Sequence, residues 1–245
     1  MTARPSRFDE LGAALARLRA RIATACSAAG RAPEDVTLLP VTKMHPASDV
    51  ALLVDLGLRG FGENRPQEAA DKAARLVELR PMVRANWHLV GRLQRNKARS
   101  VVAWASRIES VDSRRLADAL DAAMARGLDQ GARRGPLSVL VQVSLDGDPE
   151  RGGVPLPAAA ALAERVAGCP RLALDGVMAV APLGADPDRS FGALAVVAAR
   201  IRADHPQAVV ISAGMTADLE AAIRNGSTCV RVGTALLGDR PLTFR

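Results

Sequence analysis

VTLLPVTKMHP, residues 36–46, is an apolar β-type run that ends in a lysine before the chain turns at Pro46. Two features of it decide the fold. It is short, with Val and Thr among its residues, as buried strands are. No G-x-G-x-x-G follows it, which an open, doubly wound nucleotide-binding sheet would show at its first turn.

Outward from this run the same grammar repeats. Strands are predicted at 36–42 (VTLLPVT), 58–63 (LRGFGE), 85–91 (ANWHLVG), 106–111 (SRIESV), 137–144 (LSVLVQVS), 172–180 (LALDGVMAV), 208–214 (AVVISAG) and 228–233 (TCVRVG). Between them lie helix-forming stretches such as RPQEAADKAARLVEL, DSRRLADALDAAMARG and FGALAVVAARIRADH, whose starts carry Pro, Asp or Ser. An amphipathic helix over about residues 6–29 precedes the first strand. Strands separated by helices need crossover connections and hence a parallel sheet. Eight such units in 245 residues predict a single α/β domain over residues 1–245, a (β/α)8 barrel of TIM type with an extra N-terminal helix. The Gly- and Pro-rich stretch LDGDPERGGVPLP, with Gly147, Pro149, Gly152, Gly153, Pro155 and Pro157, falls after strand five and reads as a functional or mobile loop.

Composition narrows the function classes. No stretch approaches the roughly 18 consecutive apolar residues of a membrane span, and MTARPSRFDE lacks the apolar core of a signal peptide. A cytoplasmic location with no membrane partner is expected. The three cysteines (Cys26, Cys169, Cys229) are scattered, with no CxxC and no histidine cluster, so no disulfide framework and no metal site is expected. The net charge is +7, but four Phe, two Trp and no Tyr leave little to stack on bases, and the arginines are dispersed. A solvated arginine-rich surface is the reading preferred over nucleic-acid binding.

Only Lys43, Lys72 and Lys97 break the arginine habit among 33 cationic residues. In such barrels the active site lies at the C-terminal strand ends, and phosphate is often held by the loops after strands seven and eight. That rule gathers Lys43 from strand one, Glu63 and Asn64 from strand two, and His88 from strand three. Ser212 and Gly214 come from strand seven, and Arg231, Gly233 and Thr234 from strand eight. ISAGMTADLEAAI offers a small-residue turn with Thr216 placed to cap a helix, and RVGTALLG repeats the arrangement, so two helix N-termini would cradle one phosphate dianion. A neutral lysine amine attacks an aldehyde to form a Schiff base. Burial and a neighbouring cation such as Arg231 would lower its pKa from about 10.4. Lysine plus phosphate cradle fits pyridoxal 5'-phosphate, and equally a Schiff-base aldolase acting on a sugar phosphate. A salt bridge from Lys43 to Glu63 is the plain structural alternative. His88, beside Trp87, reads as a hydrogen-bonded wall residue, and HLVGRLQRNKAR (88–99), with four cations, as a solvated helix start.

VTK at 41–43, FGEN at 61–64, Gln67-Glu68, WHLVGRLQRNK at 87–97, ISAGMTADLEAAI at 211–223 and GSTCVRVGTALLG at 226–238 together resemble the pyridoxal phosphate homeostasis protein family. The resemblance implies a barrel like the N-terminal domain of bacterial alanine racemase, without that enzyme's second domain. It implies that Lys43 carries the cofactor as a Schiff base, that Asn64 lies near it, and that Ser212, Gly233 and Thr234 surround its phosphate. Arg231 would face the pyridine nitrogen and, as a permanent cation, keep it unprotonated, making the ring a poor electron sink. Arg65 and Pro66 stand where the family commonly has Tyr and Val, and Arg151 where Lys is common.

The function implied is the reversible holding of pyridoxal 5'-phosphate in intracellular homeostasis, with delivery to acceptor enzymes and no catalytic residue of its own. The alternative is an amino-acid racemase, which needs a second proton-transfer group on the opposite face of the cofactor. Alanine racemases use a tyrosine there, and this chain has none.

Overall fold

Each of the eight apolar runs forms a strand in the computed structural model, which describes residues 5–129, 134–148 and 151–239. The strands are β1 (Thr37–Pro40), β2 (Gly60–Glu63), β3 (Asn86–Leu89), β4 (Arg107–Val111), β5 (Leu137–Ser144), β6 (Leu172–Met178), β7 (Val210–Ser212) and β8 (Cys229–Val232). All neighbours are parallel, in the order β1-β8-β7-β6-β5-β4-β3-β2. The last gap, between β2 and β1, is bridged by Val41 against Gly62, where the Thr42 amide donates to the Gly62 carbonyl at 2.9 Å. The result is a nearly closed eight-stranded parallel barrel.

Most strands are shorter than the apolar runs that encode them. Residues 36–42 supply a four-residue strand, and 208–214 only Val210–Ser212. Strands in a barrel are tilted and staggered, so each overlaps its neighbours for only part of its length. Where β6 passes β7 the backbones touch. A Cβ on Gly176, whose φ is +150°, would lie 1.9 Å from the Val210 carbonyl oxygen, so only glycine fits.

The helices are α1 (Arg7–Ala28), α2 (Ala47–Asp55), α3 (Pro66–Leu79), α4 (Ala98–Val102), α5 (Arg114–Asp129), α6 (Ala159–Ala167), α7 (Pro187–Asp204), α8 (Leu219–Arg224) and α9 (Thr234–Leu237). The extra helix α1 starts on a capping box, Ser6 and Asp9 exchanging side-chain-to-amide hydrogen bonds at 3.2 Å. Its buried stripe Leu11, Leu15, Leu18 and Ile22 recurs at helical spacing and packs towards α2, α8 and α9. Burying each such side chain is worth about 1.5–3 kcal/mol, enough to fix α1 beside β1 and β8. Arg7 pins its start, donating to Asp49 at 2.7 Å and to the Leu237 carbonyl at 2.8 Å.

Among the described residues no helix is long and apolar enough to cross a membrane, and no group of three or more His, Cys, Asp or Glu side chains is placed to hold a metal ion. The loop after β5 is held on both sides of Pro149 and Glu150, which lie outside the described residues. The Ser144 hydroxyl accepts from the Gly147 amide at 3.0 Å, and Arg151 reaches Asp146 at 2.9 Å and the Ala181 carbonyl at 2.7 Å. Val154–Pro155 then pairs with the end of β5.

Candidate functional site

β1 ends at Pro40, so Lys43 sits in the turn that follows rather than in the strand itself. The turn is tight: Met44 adopts φ +66°, and its amide donates to Glu68 Oε1 at 2.6 Å. Half-buried Lys43 faces a cavity of about 290 Å³ that is also lined by His45, Thr216, Arg231, Gly233 and Thr234. β1, the β7–α8 loop and the β8–α9 junction thus meet where the strand order predicts.

The salt bridge weighed for Lys43 is not formed, because Glu63 belongs to Lys72. The Lys72 ammonium, almost fully buried, lies 2.5 Å from Glu63 Oε1, 2.7 Å from the Thr42 carbonyl and 3.2 Å from Glu68. The Thr42 hydroxyl takes the same Glu63 oxygen at 2.5 Å. Burial pushes the Glu63 carboxyl above the ordinary range despite the nearby Lys72 charge, and its Oε2 has no partner. Among the described residues Lys43 itself has neither a hydrogen bond nor an ion pair. An amine in that state is open to a ligand.

Beneath the cavity lies a buried polar layer contributed by four strands. Arg231 donates to the Ser212 carbonyl at 2.6 Å, the Ser212 hydroxyl at 2.7 Å and the Ala179 carbonyl at 2.8 Å. The Ser212 hydroxyl donates to Glu109 Oε2 at 2.6 Å, and His88 Nδ1 lies 2.7 Å from Glu109 Oε1. Burial opposes the Glu109 charge, but the His88 hydrogen bond, the charges of His88 and Arg231 and the Ser212 hydroxyl outweigh it, holding the carboxyl below the ordinary range. His88 is therefore a hydrogen-bonded wall residue, as its sequence context indicates.

The expected site residues divide three ways. Lys43, Arg231, Gly233 and Thr234 line one cavity. Ser212 is fully buried in the layer below, its hydroxyl engaged by Glu109 and Arg231 rather than on the cavity lining. Asn64 lines a separate, larger cavity over β2–β4. Its backbone is packed against Gly91, where a Cβ would lie 2.2 Å from the Asn64 carbonyl oxygen.

The expected pair of helix starts is also revised. α9 begins at Thr234 with Gly233 as its N-cap, but α8 begins at Leu219 behind Asp218. Asp218 accepts from the Met215 amide at 2.6 Å, so Thr216 lines the cavity without capping a helix.

Residues 14–241 match the family model "Alanine racemase, N-terminal domain". A pyridoxal phosphate homeostasis protein of Mycobacterium leprae is 48% identical over 244 residues, spanning 96% of this chain and 95% of the relative. One from Escherichia coli is 38% identical over 95% of this chain and 98% of its own length. The chain belongs to the pyridoxal phosphate homeostasis protein family. PipY of Synechococcus elongatus, in a structure with PLP bound, superposes with TM-score 0.78 at 32% identity over 93% of this chain and all of PipY. Alanine racemase of Clostridium difficile shares the fold at 15% identity, with TM-score 0.70 over 96% of this chain and 58% of that enzyme.

Sequence reasoning missed Lys72, Glu109 and His45. Lys72 carried a signal, since with Ala69 and Leu76 it falls on the buried stripe of α3. Glu109 carried none, because SRIESV does not show which of its residues point into the barrel. His45 is buried beside Lys43 with its Nδ1 3.6 Å from Asp49, too far for a hydrogen bond, and burial holds its pKa below the ordinary histidine value.

Proposed function

We propose that this chain, as one domain over residues 1–245, retains pyridoxal 5'-phosphate as a Schiff base on Lys43 and serves intracellular homeostasis of that cofactor, passing it to acceptor enzymes. The observation that carries this reading is the lysine amine without an internal partner, facing Arg231, Gly233 and Thr234 across one small cavity.

The residues present fit the group. Condensation of the Lys43 amine with the cofactor's aldehyde releases water and needs an amine not tied up in an ion pair. The Thr234 hydroxyl and the Thr234 and Ala235 amides suit a phosphate, whereas the Leu236 and Leu237 amides are taken by the Gly233 carbonyl at 2.9 and 3.0 Å. Arg231, held by three oxygen acceptors, is a fixed cation with no proton-accepting capacity, in keeping with a place beside the pyridine nitrogen. Ser212 joins the proposed set by positioning Arg231, and Asn64 belongs to it by the family resemblance while lining the neighbouring cavity.

Bound pyridoxal 5'-phosphate supplies an aldehyde for capture and, in enzymes, an electron sink. Retention rather than turnover is favoured by the thiols and phenols of this chain. There is no tyrosine. All three cysteines are buried, and burial pushes the Cys229 thiol up to about 12. Borohydride reduction of cofactor-loaded protein followed by peptide mapping should place the label on Lys43, and a label on Lys72 or Lys97 would sink the assignment. Rapid stereospecific α-proton exchange of an amino acid in deuterated water would replace the carrier reading with the racemase one.

A further inference from the structure

The largest cavity described here, about 1020 Å³, opens over the C-terminal ends of β2, β3 and β4, bordered by Asn64 but sharing no lining residue with the Lys43 cavity. Five cations line it: Arg65 from the loop after β2, Arg92, Arg95 and Lys97 from the loop after β3, and Arg115 from the start of α5. Asp112 is the one carboxylate on its lining.

Three observations give this grouping meaning. First, three loops far apart in sequence converge, so it is not a charge run along one helix. Second, none of the five cations makes a side-chain hydrogen bond or ion pair among the described residues, whereas Arg7, Arg21, Arg80, Arg107, Arg151, Arg171 and Arg224 are each paired with a carboxylate. Unpaired arginines also occur on helix exteriors, where water separates them. Five in one concavity repel one another, and a cleft of one sign focuses potential on an incoming anion. Third, the remaining lining is chiefly amide and hydroxyl, as in Gln67, Gln94, Asn96 and Ser100, and no aromatic ring is present to stack a base.

The ligand these features select is compact, oxygen-rich and multiply charged. A single phosphate dianion would leave most of the cations unmatched. A single-stranded nucleic acid would find no stacking platform, and the volume is that of a small-molecule site rather than a flat docking face. We propose that this cavity binds a linear oligophosphate of three or more phosphates, free or carried by a nucleoside, through guanidinium forks from three loops. The site stands on its own residues and does not depend on the Lys43 reading.

Calorimetric titration of the full chain with tripolyphosphate at low ionic strength tests it. Saturable one-to-one binding is expected, weakening at least 100-fold in Arg92→Glu/Arg115→Glu and about tenfold in Arg95→Gln/Lys97→Gln, with unchanged thermal melts because all four side chains are exposed. Borohydride-fixed label on Lys43 should stay at the wild-type level in both variants. A parallel titration with ATP separates the sources: equal affinity assigns the free chain, and a gain of tenfold or more assigns the nucleoside form. The proposal is overturned by absence of binding at millimolar tripolyphosphate, by binding that survives the double charge reversal, or by orthophosphate competing equally. Tighter binding of polyglutamate or single-stranded DNA than of tripolyphosphate would also overturn it, in favour of a macromolecular partner. Failure of the Lys43 label in wild type would sink the cofactor reading without altering these titrations.

Discussion

Two buried polar knots flank Lys43, and they solve the same problem in opposite ways. In one, Glu63 is fully buried with a single oxygen shared between Thr42 and Lys72, its other oxygen unpartnered, and its carboxyl is pushed up. In the other, Glu109 is equally buried, but each oxygen has a partner, His88 and Ser212, with Arg231 beyond, and its carboxyl is held down. Burial alone therefore does not set the charge of a carboxylate. Each accepts two side-chain hydrogen bonds, and what differs is their placement and the neighbouring charge: both of Glu63's fall on one oxygen with the Glu68 carboxylate nearby, whereas Glu109 has one on each oxygen and the Arg231 cation beyond. Both knots leave Lys43 unencumbered, because Glu63 is taken by Lys72 and Arg231 is committed to the layer below.

The largest expected effect separates the two lysines. Lys43→Ala should abolish all borohydride-fixed pyridoxal 5'-phosphate while leaving the urea midpoint near wild type, since no hydrogen bond or ion pair is lost. Lys72→Ala should do the reverse, keeping the label on the folded protein but costing about 3–5 kcal/mol at neutral pH by stranding Glu63. Adding Glu63→Gln to Lys72→Ala should recover part of that loss. Retained label in Lys43→Ala, or a Lys72→Ala variant as stable as wild type, would break the division of labour.

A smaller effect tests the lower layer. Arg231→Gln removes a cation that serves three acceptors, and hydrogen bonds to charged groups are worth about 1.5–3 kcal/mol each. Partial satisfaction by the glutamine amide leaves an expected loss of about 2–3 kcal/mol in urea unfolding, together with weaker cofactor retention. If stability falls and retention does not, Arg231 is a structural residue only.

The sequence carried the barrel because its signal is local: each apolar run and each helix stretch is readable in place, and parallel order follows from the crossovers. The residues at strand ends were legible for the same reason, so Lys43, Arg231, Gly233 and Thr234 came together as expected. What escaped depends on side-chain direction and on loop length. Ser212 lies at the end of β7 but points into the layer below, and Asn64 lies one residue beyond β2 yet opens onto the neighbouring cavity. The four cations of residues 88–99 read as a solvated helix start. Three of them line the large cavity, because a single 3₁₀ turn (Arg95–Lys97) intervenes before α4 and brings Arg95 and Lys97, with Arg92, onto its lining.

The finest test of the two knots is the pH dependence of stability, where they predict slopes of opposite sign. Glu109 has a folded pKa below its unfolded value, so its contribution is present above the ordinary carboxyl range and is lost as pH falls through the lowered folded value. Glu63 has a folded pKa above its unfolded value, so its contribution is present below the ordinary range and is lost as pH rises through the raised value. Each proton can add at most about 1.4 kcal/mol per pH unit. Urea midpoints across acid and neutral pH should therefore show Glu109→Gln flattening the acid limb, and Glu63→Gln flattening the fall that begins above the ordinary carboxyl pKa. His45 adds to the acid limb, since its lowered pKa makes the unfolded chain take up a proton that the folded chain refuses. The comparison is therefore cleanest in a His45→Gln background, and two glutamine variants that moved the same limb would show that donor placement and neighbouring charge do not set the two carboxyls apart.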